Sequence, residues 1–228
     1  MSIWTLIGER LTAIGESVSQ FLQKVAARPA TPPEMSVAFS IGMIALSAKM
    51  AKADGVVSET EIAAFKQVFH VPDHELSAVA RVFNLAKQDV AGFEAYAAQM
   101  AKLFEPGSTV LEDVLDGLFH IAKADGAFHP GEHGFLEHVA GAFGFSPQDF
   151  VRIRARHVVI KNDPYVILGV DHAASLAEIK MRYRNLVREN HPDRHIAAGV
   201  PQEMIDLATE RLQTINEAYD QIERERAA

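Results

Sequence analysis

The sequence predicts an all-α protein, and three observations support this fold class. Apolar residues recur at spacings of three and four through most of the 228 residues, which places them on one side of a helix. No stretch shows the strict apolar–polar alternation typical of a half-buried strand. The breaks between apolar runs carry turn and cap signals such as Asp54-Gly55, Pro106-Gly107 and Ser146-Pro147. Together these features favour a chain of short, packed helices.

Composition limits the classes of function. Apolar residues make up 48% of the chain, as in globular proteins. The formal net charge of −8 argues against a general nucleic-acid-binding protein, which needs a basic stripe. With 0 cysteines the chain has neither a disulfide framework nor a thiolate site, which fits a reducing compartment. We therefore expect a globular cytoplasmic protein with no nucleic-acid partner.

The first predicted element is an amphipathic helix over residues 1–28, followed by a proline-rich linker over residues 29–35. No apolar run reaches the roughly 18 uncharged residues of a membrane span, and no secretory signal is evident. Two interpretations stay open. The helix packs on its own domain, or Trp4 and Phe21 anchor it on another surface, which is either the inner face of a membrane or a partner protein. Its polar face is not rich in lysine and arginine, which favours the first interpretation.

Residues 36–157 are predicted to form a helical domain of about seven helices. The domain contains an internal repeat, because the sequence Ala-Lys-Ala-Asp-Gly at residues 51–55 recurs at residues 122–126. Glu61 recurs as Glu132 at the same offset. In each repeat we expect one helix to end at Asp-Gly and the next to begin with glutamate in its first turn.

The repeated acids also suggest a metal site as an alternative. Carboxylate oxygens are the ligands that a hard cation such as Ca²⁺ prefers, so the candidate ligands are Asp54, Glu61, Asp125 and Glu132. The simpler interpretation is local, because Asp-Gly is ordinary turn chemistry and a first-turn glutamate is favoured by the helix dipole. We favour the local interpretation and expect no cofactor, and a metal-responsive stress module that uses a divalent cation is the alternative function.

Residues 158–162 form a short linker to a second helical domain over residues 163–228. This domain is predicted to begin with a short helix that has Asp163 as its N-cap, Pro164 in its first turn and Gly169 at its end.

Two longer helices follow. Ser175 and Glu178 fit a capping box that opens the first of them. That helix is expected to end near His191, because the residue before a proline is pushed out of the α region. The second runs over about residues 202–225 and packs antiparallel to the first. We therefore expect His191-Pro192-Asp193 to lie exposed in the connecting loop.

The chemistry of this loop suits recognition of a protein partner. Pro192 stiffens it, Asp193 offers a carboxylate to an arginine of the partner, and a hydrogen bond from His191 fixes its shape. The preceding helix carries a basic patch, whose members are Lys180, Arg182, Arg184 and Arg188. Such a patch steers an acidic protein surface toward the loop. No nucleophile or orienting third group accompanies the His–Asp pair, so we expect no catalytic residues and no enzymatic activity.

Three blocks in the order DPYVILGV, EIKMRYRNLVRENHPDR and INEAYDQI resemble a J-domain over residues 163–228. The Asp-Gly and glutamate positions of residues 36–157 resemble the TerB-like domain of tellurite resistance. The combination resembles the DjlA-type co-chaperones, although those typically begin with a transmembrane helix that is not evident here. The resemblance implies that the chain binds a DnaK-type chaperone and stimulates its ATP hydrolysis. It also implies that the TerB-like half binds a client, partner or signal.

Overall fold

The computed structural model describes residues 18–27, 32–54, 59–69, 71, 73–88, 92–124, 128, 130–157, 163–197 and 202–227. These residues form 12 α-helices and one 3₁₀-helix (Asp73–Glu75), with no strand, which confirms the all-α prediction. In chain order the helices are α1 (Val18–Ala26), α2 (Pro32–Asp54), α3 (Glu59–Phe69), α4 (Leu76–Gln88), α5 (Phe93–Ala101), α6 (Thr109–Ala122), α7 (Pro130–Ala142), α8 (Pro147–Ala155), α9 (Pro164–Leu168), α10 (Leu176–Glu189), α11 (Pro192–Ala197) and α12 (Gln202–Ala227).

Helix α1 packs on the helical domain that follows it. Val18 and Leu22 are buried in the main hydrophobic core, and α1 contacts α2, α4 and α5. The described part of the N-terminal segment therefore packs on its own domain. Trp4 lies outside the described residues, as does the side chain of Phe21, so the membrane-contact alternative for residues 1–28 stays a prediction. Within the described ranges no helix combines the length and apolar character needed to cross a bilayer.

Helix α2 begins earlier than the sequence suggested. The predicted linker extended to residue 35, whereas the helix starts at Pro32. Proline is well tolerated in the first helical turn, because its missing N–H has no partner there in any case. Between Val37 and Ala51 almost every side chain of α2 is buried, so this helix is the centre of the first core.

The internal repeat has matching helix starts and unequal helix ends. Helix α2 ends at Asp54 as predicted, but α6 ends at Ala122, before the corresponding Asp125. Glu61 and Glu132 both occupy the third position of their helices, α3 and α7. The repeated acid therefore has the same place in each first turn.

Helices α9 to α12 form the second domain around a separate core. Asp163 accepts a hydrogen bond from the Tyr165 backbone N–H and caps α9, and Gly169 ends that helix with φ 68°. The predicted capping box of Ser175 and Glu178 opens α10. The core is formed by apolar residues of α9, α10 and α12, whose fully buried members include Leu168, Ile179, Ile215 and Ile222.

The apolar residues of α12 pack in the cores of both domains. The helix predicted over about residues 202–225 was expected to pack antiparallel to α10. Ile215, Tyr219 and Ile222 do belong to the second core, but Ile205 and Leu207 pack against the first. Helix α12 therefore links the two domains through its N-terminal half.

Candidate functional site

The His191-Pro192-Asp193 segment lies at the surface, at the end of α10. That helix ends at Glu189 as predicted, but Pro192 already begins the short helix α11, so only Asn190 and His191 connect the two helices. His191-Pro192-Asp193 was expected to lie in the loop between the two longer helices, but only His191 does, because proline is well tolerated in a first helical turn and Pro192 begins α11.

Local hydrogen bonds fix the shape of this segment. The Asp193 backbone N–H donates to Nδ1 of His191 at 3.3 Å, and the buried Asn190 side chain donates to the Leu186 carbonyl at 2.7 Å. The imidazole and the Asp193 carboxylate remain accessible, with side-chain exposures of 53% and 83%. Because the ring is held by the backbone and the carboxylate faces solvent, both groups lie at the surface in a defined geometry.

A basic stripe runs along α10 toward this segment. Lys180, Arg184 and Arg188 are exposed, and residues four apart lie on the same face of a helix. The 61% exposed Met181 adds apolar surface to that face. A shallow depression lined by Val187 and His191, among others, continues the surface to the end of the helix. This basic stripe, defined as Lys180, Arg184 and Arg188, therefore adjoins His191 directly.

Arg182 does not belong to the basic stripe. It lies two residues from Lys180 and Arg184, a spacing that turns it away from them around the helix. Its Nε donates to the carbonyl of Leu168 at 3.2 Å, and its side chain is only partly exposed. The structure thus separates the four predicted basic residues into three that form a surface and one that ties α10 to the end of α9.

A buried cluster of charges, which was not predicted from the sequence, lies where the two domains meet. Its carboxylates are Glu112, Asp113 and Asp116 of α6, all at most 6% exposed. Arg152 donates to both oxygens of Glu112, at 2.9 and 3.2 Å. Arg156 spans two carboxylates, at 2.8 Å from each of Glu112 and Asp116.

The second domain completes this interdomain cluster. Arg211 of α12 contacts Asp113 and lies 3.7 Å from Glu112, and its Nη1 donates to the Thr109 carbonyl at 3.4 Å. His195 of α11 places Nε2 2.7 Å from Asp113. The Arg211 and His195 side chains are 1% and 0% exposed, so the contact excludes water. The interdomain cluster therefore fixes the second domain on the first.

The charges of the interdomain cluster balance without protonated histidine. It contains three carboxylates and three guanidinium groups, those of Arg152, Arg156 and Arg211. Burial alone would raise the pKa of Glu112, but the guanidinium groups, that of Arg156 foremost, hold this pKa well below its usual range. Burial lowers the pKa of His195 and, despite the adjacent Asp116, that of His157. The interdomain cluster is therefore neutral overall when its histidines are unprotonated.

Stability is expected to fall on acidification. An unfolded histidine has an ordinary pKa of 6.5, whereas burial lowers the pKa of His195 in the folded state. The unfolded chain therefore binds more protons, and stability decreases as pH falls through about 6.5. The lowered pKa of Glu112 adds a further loss only once the pH falls below its ordinary value of 4.5. The check is the melting temperature at pH 7.5, 6.5 and 5.5.

The His195→Gln variant should show a smaller drop in melting temperature between pH 7.5 and 5.5 than the parent chain. His138 of α7 is exposed, so His138→Gln is the matched control and should keep the parent's dependence. An unchanged dependence in His195→Gln contradicts a buried, neutral His195.

The predicted metal ligands are only partly described. Glu132 is buried, at 2% exposure. The side chains of Asp54 and Glu61 and the whole of Asp125 lie outside the described residues. Among the residues that are described, no group of three or more histidines and carboxylates has a geometry suited to a metal ion. The metal site stays a prediction.

Comparison with known proteins identifies both domains. The family model "Tellurite resistance protein TerB" matches residues 40–155, and the model "DnaJ domain" matches residues 163–227. The fold and the exposed His-Pro-Asp surface thus define a J-domain protein with a preceding TerB domain.

The chain also resembles curated proteins along most of its length. It is 30% identical to Co-chaperone protein DjlA of Coxiella burnetii, over 91% of this chain and 85% of that protein. It is 26% identical to the protein of the same name in Photobacterium profundum, over 86% of this chain and 81% of that protein. The chain belongs to the DjlA family of co-chaperones. No solved structure gives a significant match.

Proposed function

We propose that this chain binds a DnaK-type chaperone through His191-Pro192-Asp193 and the basic stripe, and that it stimulates the partner's ATP hydrolysis. The observation that carries the proposal is the juxtaposition of these groups on one exposed face. His191 adjoins the stripe at Arg188, and Asp193 is 83% exposed. The TerB domain contacts the J-domain elsewhere, through Arg211 and His195.

The surface has the properties needed for a fast and specific encounter. Three exposed cations attract an acidic surface over a distance of about 8–10 Å at physiological salt. The Asp193 carboxylate is an acceptor suited to a bidentate arginine of the partner. The ATP hydrolysis takes place on the partner, so this chain needs no catalytic residue of its own.

We further propose that the TerB domain holds the J-domain in one orientation while it binds a client, a partner or a signal. The interdomain cluster supports this role, because buried, paired charges allow few alternative docking geometries. Its contacts come from both domains, with Asp113 on one side and Arg211 on the other. We expect the protein to act in the compartment that contains the DnaK-type chaperone, namely the cytoplasm.

The stripe can be tested by changing its charges. The triple variant Lys180→Gln, Arg184→Gln, Arg188→Gln should raise the concentration for half-maximal stimulation of chaperone ATPase about tenfold or more. The reason is that exposed charges act mainly on encounter rate and orientation. The maximal stimulated rate should change little. The measurement is steady-state ATPase of a DnaK-type chaperone against concentration of the full chain.

Arg224 provides the matched control for the stripe, because it is exposed on α12 of the same domain. Arg224→Gln should leave the half-maximal concentration unchanged. Arg182→Gln should lower thermal stability more than it alters this concentration, since Arg182 bonds to Leu168. If the triple variant stimulates as the parent does, the stripe is not part of the partner surface.

The metal-responsive alternative makes a separate prediction. Ca²⁺ or another divalent cation would stabilise the parent chain and leave the double variant Asp54→Asn, Asp125→Asn unaffected, because a carboxylate is a better cation ligand than a neutral amide. Equal melting temperatures with cation and with chelator contradict this alternative. The J-domain proposal does not depend on its outcome.

A further inference from the structure

We propose that a cavity in the TerB domain binds an amphiphile of the fatty-carboxylate class, with an apolar chain and an anionic head. The cavity lies between α2, α3 and α4, with Ile121 of α6 at one side, and has a volume of about 300 Å³. The space is a cleft that is partly open to solvent, and small-molecule sites in proteins are mostly apolar clefts of this kind. Its volume is at the lower end of the range for small-molecule sites.

The walls of the cavity suit a hydrocarbon chain. Its lining is mainly apolar and includes Phe65 of α3 and Val79 and Phe83 of α4. Ile62 also lines it and is 44% exposed, so the apolar surface continues to the exterior. A chain that entered past Ile62 would be removed from water along most of its length, which is the main source of affinity for an apolar ligand.

One polar group that lines this apolar space has no partner within the described part of the chain. Ser47 of α2 is 3% exposed, and its hydroxyl oxygen is buried with no hydrogen bond to any described residue. Helical serines ordinarily satisfy this group through a carbonyl of the preceding turn or through water. A buried hydroxyl without a partner is rare in proteins. The hydroxyl is therefore available to donate to an oxygen of a ligand.

A lysine lines the same cavity, and its positive charge favours an anionic ligand. Lys66 of α3 is exposed, and no carboxylate is found among the described residues that line the space. A carboxylate head would accept a hydrogen bond from Ser47 and pair with the Lys66 ammonium, while its chain lies along Val79 and Phe83. A charge-assisted hydrogen bond of this kind favours an anion over a neutral alcohol.

The size of the cavity favours a small ligand over a helix of another protein. A space of 300 Å³ corresponds to about ten water-sized volumes of ~30 Å³ each. A saturated chain of about ten carbons fills such a volume, whereas a helix with its side chains is roughly 10 Å across. We therefore choose decanoate as the probe. The proposal concerns the TerB domain alone and does not rest on contact with a chaperone.

Titration calorimetry of the full chain with decanoate, below its micelle concentration, tests the proposal. Decanoate should bind with one site per chain. Ala80 is exposed but lines the cavity, so Ala80→Phe should fill the space and abolish binding without disturbing the core. Ala98 of α5 is likewise an exposed helical alanine and does not line the cavity, so Ala98→Phe should bind as the parent does.

The head group is tested with a second pair of measurements. Lys66→Gln should weaken decanoate binding about tenfold and leave decanol binding unchanged, because only the carboxylate pairs with the ammonium. Ser47→Ala should weaken decanoate binding several-fold. Absence of decanoate binding to the parent, or equal binding to Ala80→Phe, overturns the proposal. If decanoate does not bind and Ala80→Phe instead disrupts self-association in sedimentation, the cavity is an interface between copies of the chain and the ligand proposal is wrong.

Discussion

His191→Gln is expected to reduce stimulation of a DnaK-type chaperone to the basal ATPase rate. The imidazole is 53% exposed and accepts a hydrogen bond from the Asp193 N–H through Nδ1. Glutamine cannot place a rigid acceptor at this position, so the segment loses its fixed shape and the partner loses the ring. Because the side chain is exposed, the free energy of unfolding should change by less than about 0.5 kcal/mol. The measurement is ATPase rate against concentration, with a thermal melt of each variant.

Two further variants make the His191 result decisive. His138 is an exposed histidine of α7, so His138→Gln should stimulate as the parent does. Asp193→Asn changes an 83% exposed carboxylate and should also lose stimulation, since the amide pairs poorly with arginine. Full stimulation by both His191→Gln and Asp193→Asn would place the activity outside this segment. Loss of stimulation together with a lower melting temperature would point to misfolding instead.

The sequence could predict the features of the J-domain that depend on local interactions. The caps at Asp163 and Ser175 join residues only two or three positions apart, and so does the contact between His191 and Asp193. Such contacts are encoded in short motifs. Short motifs also predicted where two helices end, at Gly169 for α9 and near His191 for α10.

The role of Arg182 was harder to predict than its side of the helix. The sequence places four cations on α10, and helical spacing alone separates Arg182 from the other three. Its role as a link to α9 depends on the Leu168 carbonyl, 14 residues away. Helical spacing is therefore sufficient to set the boundary of the basic stripe, whereas the contact of Arg182 with α9 depends on the packing of two helices.

The interdomain cluster could not be predicted because its partners are distant in the chain. Glu112 and Arg152 are separated by 40 positions, and Arg211 lies 102 positions from Thr109. One signal was present in the sequence: α6 contains three acids among residues that are otherwise apolar at almost every position. Acids on an all-round apolar helix are expected to be buried and paired. The identity of their partners depended on the tertiary fold.

This buried pairing leads to a large expected effect on stability. Arg211→Met should reduce the free energy of unfolding by about 3–5 kcal/mol, because it leaves one carboxylate of the interdomain cluster buried without a compensating charge. Asp113→Asn should also reduce the free energy of unfolding, since it leaves one buried guanidinium group of the interdomain cluster without a compensating carboxylate. The measurement is equilibrium urea unfolding of the full chain. Arg224→Met, at an exposed position on α12, is the matched control and should have little effect.

The double variant Asp113→Asn, Arg211→Met distinguishes paired charges from simple packing. It removes one charge of each sign, so two carboxylates and two guanidinium groups remain and the charges balance again. We therefore expect the double variant to be more stable than either single variant, with a coupling energy of about 1–3 kcal/mol. If the costs of the single variants simply add, the two side chains do not act as a pair, and the J-domain must be held mainly by the apolar contacts of Ile205 and Leu207. If the expected coupling is found, the orientation of the J-domain relative to the TerB domain is set by charges that neither domain can leave unpaired.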